Sequence, residues 1–145
     1  MILYLDTSSL VKLYVGEEGS PEVRSLVDRA SVVATSVVAY PETRSALARL
    51  GRDGVLSAAQ LELARRDLLR DWESLLKVRL LRRVYERAGD LTEKHSLRGS
   101  DALHLASYLE VLERTEDDDL RFSAFDDRLI AAADAEHSSS RPEGR

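Results

Sequence analysis

Cysteine is missing altogether from the 145 residues. Disulfides, thiolate metal sites such as zinc ribbons, and cysteine nucleophiles are therefore excluded, and any metal must be held by oxygen or imidazole. The chain also lacks an apolar run of about eighteen residues, the length a membrane-crossing helix needs. The apolar stretch Ile2 to Leu5 is short and has no basic residue ahead of it, a poor match to a signal peptide, so a cytoplasmic location with no membrane contact is expected. Gly-x-Gly-x-x-Gly and Walker loops are absent, which removes support for a nucleotide cofactor. There is no Gly-x-Ser-x-Gly elbow to activate Ser8, Ser9 or Ser36, so serine hydrolase chemistry is unsupported. Ser8 also stands where an aspartyl phosphotransferase built on Asp6 would carry the second acid of an Asp-x-Asp pair.

What remains is a chain that is 43% hydrophobic and 32% charged, with a net charge of −5. Its length suits one domain with a sizeable core, expected over residues 1–136, with residues 137–145 a disordered tail because nothing apolar is there to dock. Charge is uneven: residues 1–41 carry −2, residues 42–98 carry +4 and residues 99–145 carry −7. The basic middle offers Arg44, Arg98 and neighbouring arginines as groups that grip nucleic-acid phosphate, although Arg-rich helix faces are commonly just solvated. Strand patterns at 2–5, 31–36, 77–81 and 120–125 alternate with helical ones at about 7–15, 20–30, 37–50, from 57, 84–95, 102–112 and 127–135. That alternation predicts an α/β fold, a three-layer α/β/α sandwich on a four- or five-stranded, mainly parallel sheet.

In such a sheet the carboxyl ends of the strands share one edge, where ligands bind. Asp6, Glu42, Asp101 and Asp126 all fall where the chain leaves a strand or enters a helix near that edge. Each has an ordinary explanation. Asp6 caps a helix, and Glu42 favours a helix dipole from the first turn. Asp101 is harder to explain that way, because it lies among small and apolar residues that would bury it, and a buried carboxylate needs a charge partner. Four converging carboxylates would repel one another unless a hard divalent cation sat between them. His104, flanked by Leu103 and Leu105, reads as a core histidine hydrogen-bonded against the sheet rather than a ligand.

Residues 4–14 (Tyr-Leu-Asp-Thr-Ser-Ser-Leu-Val-Lys-Leu-Tyr), 36–47 around Pro41-Glu42-Thr43-Arg44, 97–106 around Gly99-Ser100-Asp101-Ala102 and 125–129 (Phe-Asp-Asp-Arg-Leu) resemble, in order, the PIN-domain ribonucleases. The resemblance is to the VapC-like toxins of toxin–antitoxin pairs. It implies a magnesium or manganese site, hydrolysis of single-stranded RNA, a cognate antitoxin protein as partner, and a homodimer. It makes Asp6 and Asp101 principal metal ligands, Glu42 a ligand or water-orienting group, and Asp126 the fourth carboxylate, with Thr7 or Ser8 assisting. The chain departs from the pattern in having Ala124, not a hydroxyl residue, two places before Asp126, and in the acidic stretch that ends at Asp119. Asp119 and Asp127 are therefore further candidates for the fourth position. The alternative to an endoribonuclease is a catalytically weak RNA-binding or interaction module on the same fold.

Overall fold

The computed structural model of the protein describes residues 1–141. Along the chain run β1 (Ile2–Leu5), α1 (Thr7–Val11), α2 (Ser20–Arg29), β2 (Val32–Ser36), α3 (Ala39–Arg52), α4 (Ala58–Trp72), β3 (Leu76–Val78), α5 (Arg82–His95), α6 (Gly99–Arg114), β4 (Leu120–Ser123) and α7 (Asp127–Ser140). The four strands form one sheet in the order β3-β2-β1-β4, and every pairing is parallel. Successive strand side chains point to opposite faces, and β1 shows the consequence. Tyr4 enters a core with Leu105, Leu109 and Leu129 from α6 and α7, while Leu3 and Leu5 enter a second core with Leu10, Leu47 and Leu68 from α1, α3 and α4. Both faces of the sheet are thus covered, the expected state of a parallel sheet, and the three-layer α/β/α architecture follows. Among the described residues no helix is long and apolar enough to cross a membrane.

Local signals set most boundaries. Ser57 and Gln60 form a reciprocal capping box at the start of α4, which satisfies two otherwise orphaned N–H groups. Helix α1 stops at Val11, short of the expected Val15, because Lys12, Leu13 and Tyr14 donate to carbonyls only three residues back, the tightened geometry of a fraying end. The sharpest difference is at the carboxyl end. Helix α7 runs on to Ser140 instead of giving way to a tail at residue 137. The anchor is polar rather than apolar: His137 is hydrogen-bonded to the Tyr108 hydroxyl, and Arg141 donates to Asp118 and to the carbonyls of Thr115 and Asp117. The rest of the expected tail, residues 142–145, lies outside the described residues.

Candidate active site

At the carboxyl edge of the sheet, Asp6 follows β1 directly and caps α1. Its Oδ1 accepts from the Ser9 backbone N–H at 3.0 Å and from the Ser8 hydroxyl at 2.7 Å. Only 5% of Asp6 is exposed, and no lysine or arginine pairs with it among the described residues. Burial pushes the Asp6 carboxyl up, the two hydrogen bonds and the nearby His104 imidazole pull it back in part, and the charge of Asp101 adds to the upward push, leaving the group above its ordinary value.

Glu42, in the first turn of α3, is in the opposite condition. Its Oε1 accepts from the Thr7 hydroxyl at 2.8 Å and stands 2.9 Å from His104 Nε2, which is itself 3.0 Å from the Thr7 hydroxyl. Burial pushes Glu42 up as well, but the hydrogen bonds from His104 and Thr7 outweigh it and hold the carboxyl below its usual range. His104 is 1% exposed, and its Nδ1 lies 2.9 Å from the Tyr4 hydroxyl. The imidazole thus bridges two elements, with Nε2 facing the Glu42 carboxylate and Nδ1 the Tyr4 hydroxyl. Burial keeps the Tyr4 hydroxyl well above its ordinary value, so it remains a donor. His104 is the core histidine that the sequence predicts, with an added role: it ties Glu42 on α3 to Tyr4 on β1.

Asp101 lies in the first turn of α6, one turn before His104 and thus on the same helix face, with Arg98 Nε at 3.5 Å. Asp126 is less engaged. Its Oδ1 accepts from Leu129 N–H as the cap of α7, and the residue is exposed. Of the alternatives, Asp119 precedes β4, and its carbonyl accepts from Ile2 N–H at the amino edge of the sheet, the end opposite Asp6. That placement removes Asp119 from the site. Asp127 is the exposed first residue of α7. Ser123, the hydroxyl one place early in the motif, reaches Ser9 at 2.8 Å.

The expectation that four acids converge is therefore met only in part. Among the described residues no three Asp, Glu or His side chains gather closely enough to cage a metal ion. The physical reason is visible: Glu42 is turned to Thr7 and His104, and Asp126 to its own cap. The donor chemistry nonetheless suits a small hard cation. Magnesium keeps several of its waters and is commonly bound through one or two carboxylates, and Asp6 with Asp101 offers two, one of them buried without a cation.

Sequence reasoning missed the Tyr4–His104–Glu42–Thr7 chain of contacts. Its signal was there in the spacing of three between Asp101 and His104, which puts both on one face of α6.

Comparison with known proteins identifies the fold. Residues 3–135 match the PIN domain family. The chain is 39% identical to ribonuclease VapC45 and to ribonuclease VapC49 of Mycobacterium tuberculosis, over 92% of its own length and 90% of theirs. The crystal structure of Mycobacterium tuberculosis VapC20, described as a sarcin-ricin loop cleaving toxin, superposes with a TM-score of 0.64 at 20% identity, covering 90% of this chain and 94% of that one. The match to the family spans nearly the whole fold and includes all four strands, and with it the chain belongs to the PIN domain family.

Proposed function

We propose that this protein is a metal-dependent endoribonuclease that hydrolyses phosphodiester bonds of single-stranded RNA, and that it is the toxin of a toxin–antitoxin pair. The observation that carries the reading is Asp6: a carboxylate buried at the end of β1, beside Asp101, with no basic partner among the described residues. Keeping such a group ionised is costly unless a cation joins it. Its setting in a PIN fold with relatives named as ribonucleases makes catalysis the reason for bearing that cost.

Asp6 and Asp101 hold magnesium or manganese in this reading, and Asp126 assists from outside. When bound, the cation supplies Lewis acidity, making water easier to ionise and offsetting charge on the phosphodiester. Ser8 fixes the Asp6 carboxylate through its 2.7 Å hydrogen bond. Glu42 spends Oε1 on Thr7 and His104 and keeps Oε2 to orient the attacking water. His104 and Tyr4 stop Glu42 from swinging toward the metal. Arg98, whose side chain is 83% exposed, and Arg44, which donates to the Tyr40 hydroxyl, hold RNA phosphates. The partner is a cognate antitoxin protein that covers the acidic edge, and the active species is a homodimer.

The open arrangement of the acids favours one other reading, an RNA-binding or interaction module with weak catalysis. Incubation of the purified chain with single-stranded RNA and magnesium separates the two. Cleavage that chelator abolishes, and that Asp6→Asn and Asp101→Asn each reduce by at least about a hundredfold, is expected of a site in which the carboxylates and the cation act as a unit. Unchanged cleavage in both variants removes the site, and binding without cleavage by the intact chain leaves the module.

A further inference from the structure

The chain has two phenylalanines, and they are treated differently. Phe122 stacks on Tyr4 with ring centroids 5.5 Å apart, inside the sheet's core. Phe125, just past β4, keeps 42% of its surface exposed. A single exposed apolar residue is ordinary, but Phe125 is held by three residues from two other segments, Ser8 and Lys12 of α1 and its cap and Gly19 before α2. Its backbone N–H donates to Ser8 Oγ at 3.2 Å, and that hydroxyl is the one that fixes Asp6. Lys12, at the end of α1, places Nζ 4.4 Å from the ring centroid and is itself steadied by Glu17 at 3.0 Å. Gly19, before α2, has φ +87°, and a Cβ there would lie 2.7 and 2.8 Å from ring atoms Cε1 and Cζ. Any other residue would be strained in its backbone and would push the ring away.

The Phe125 backbone N–H is two hydrogen bonds from the buried Asp6 carboxylate, and the ring, fixed by the end of α1 and the turn before α2, keeps an open surface. The ring offers a phosphate no hydrogen-bond donor, so its natural ligand is the flat, uncharged part of a nucleotide. Lys12 already takes the cation–π capacity of the ring, which leaves stacking as the attraction on the open side. We infer that Phe125 is a stacking shelf for one base of the RNA, adjacent to the phosphodiester that is cut, with Lys12 and Gly19 as the residues that position it. The inference rests on the ribonuclease reading and assigns that site a contact to a base.

The test is steady-state cleavage, with magnesium, of a short single-stranded RNA and of a series in which one abasic nucleotide is moved along it. Phe125→Leu, which keeps apolar bulk without a π-face, is expected to raise KM by about 5- to 10-fold, the low end of base–aromatic stacking, with kcat within about twofold. Phe125→Trp restores KM. In the intact chain an abasic nucleotide at one position beside the cut raises KM by a similar factor, and Phe125→Leu no longer senses that position. Thermal melting of each variant separates loss of the shelf from loss of the fold, and the abasic series on the intact chain needs no variant. Normal KM in Phe125→Leu together with an unaltered abasic profile overturns the shelf and leaves the nuclease standing. No cleavage by the intact chain overturns both.

Discussion

Asp6 and Glu42 sit at one edge of one sheet, and the fold treats them in opposite ways. Glu42 has Oε1 engaged by both Thr7 and His104, and its carboxyl is held below its ordinary value. Asp6 arrives buried, with only hydroxyl and amide donors, and is held above its ordinary value. The contrast separates a group already positioned by the protein from one that a cation would stabilise. A satisfied carboxylate positions things, whereas a strained one gains most when a cation binds. It also locates stability and chemistry on different side chains, so the two corners should fail differently when altered.

The largest effect is expected from dismantling the Glu42 corner at its centre. Replacing buried His104 by Leu takes one hydrogen-bond partner each from the Tyr4 hydroxyl and from Glu42, which keeps only Thr7, and each such loss costs about 1–3 kcal/mol. A loss of roughly 3 kcal/mol, about 10 °C in melting midpoint, should be seen by calorimetry; a melting midpoint equal to that of the intact chain would show that the imidazole is no keystone. Next in size is the response of the Asp6 corner to metal. Magnesium at ten times its dissociation constant should stabilise the intact chain by about 1.4 kcal/mol and leave Asp6→Asn unmoved. Equal shifts in both would place the cation elsewhere.

Smaller, and opposite in sign, are the pH responses. The folded-state value of Glu42 is depressed, so its contribution is present above the unfolded value of about 4.3 and is lost as pH falls through the folded one. Glu42→Gln is expected to melt lower at pH 7, by about 1 kcal/mol for hydrogen bonds to a half-buried charge, and to converge with the intact chain in acid. The folded-state value of Asp6 is raised. Stability is full below its unfolded value and is lost as pH rises through the folded one. Asp6→Asn, which keeps the helix cap, should therefore melt slightly higher than the metal-free intact chain at pH 7, with the gain vanishing below about pH 4. A destabilised Asp6→Asn at neutral pH would break the contrast between the corners.

How much of this was readable beforehand varies by residue for physical reasons. Strands β1 and β2 carry apolar or β-branched runs that a parallel sheet demands, β4 alternates Leu120 and Phe122 with Arg121 and Ser123, and the placement of Asp6 after β1 follows from its run alone. Ser57 and Gln60 declare the start of α4 by their spacing. By contrast β3 is three residues long, too short for its pattern to fix its boundaries, and it lies at 76–78 where 77–81 was expected. The end of α7 is held by His137 and Arg141 through polar contacts to α6 and the loop after it, and no local pattern encodes a long-range hydrogen bond. In the site, each acid was legible as a position near the carboxyl edge, but its orientation was not, because rotamers answer to neighbours distant in sequence. Thr7 turns to Glu42, thirty-five positions away, and His104 to Glu42 across sixty-two.

Asp126 offers the finest test of the contrast, because it belongs to neither corner. Its carboxylate is exposed and accepts from Leu129 N–H as the cap of α7, and asparagine caps a helix about as well as aspartate. Asp126→Asn should thus leave the melting midpoint within about 0.5 kcal/mol of the intact chain, while Asp126→Ala loses about 1 kcal/mol with the cap. If the carboxylate only assists from outside, cleavage by Asp126→Asn falls by no more than about tenfold, one to two orders of magnitude less than the loss expected at Asp6. Loss as deep as in Asp6→Asn, at unchanged stability, would mean that the end of β4 swings inward when the cation and RNA bind, and that the exposed acid completes the site that Asp6 and Asp101 begin.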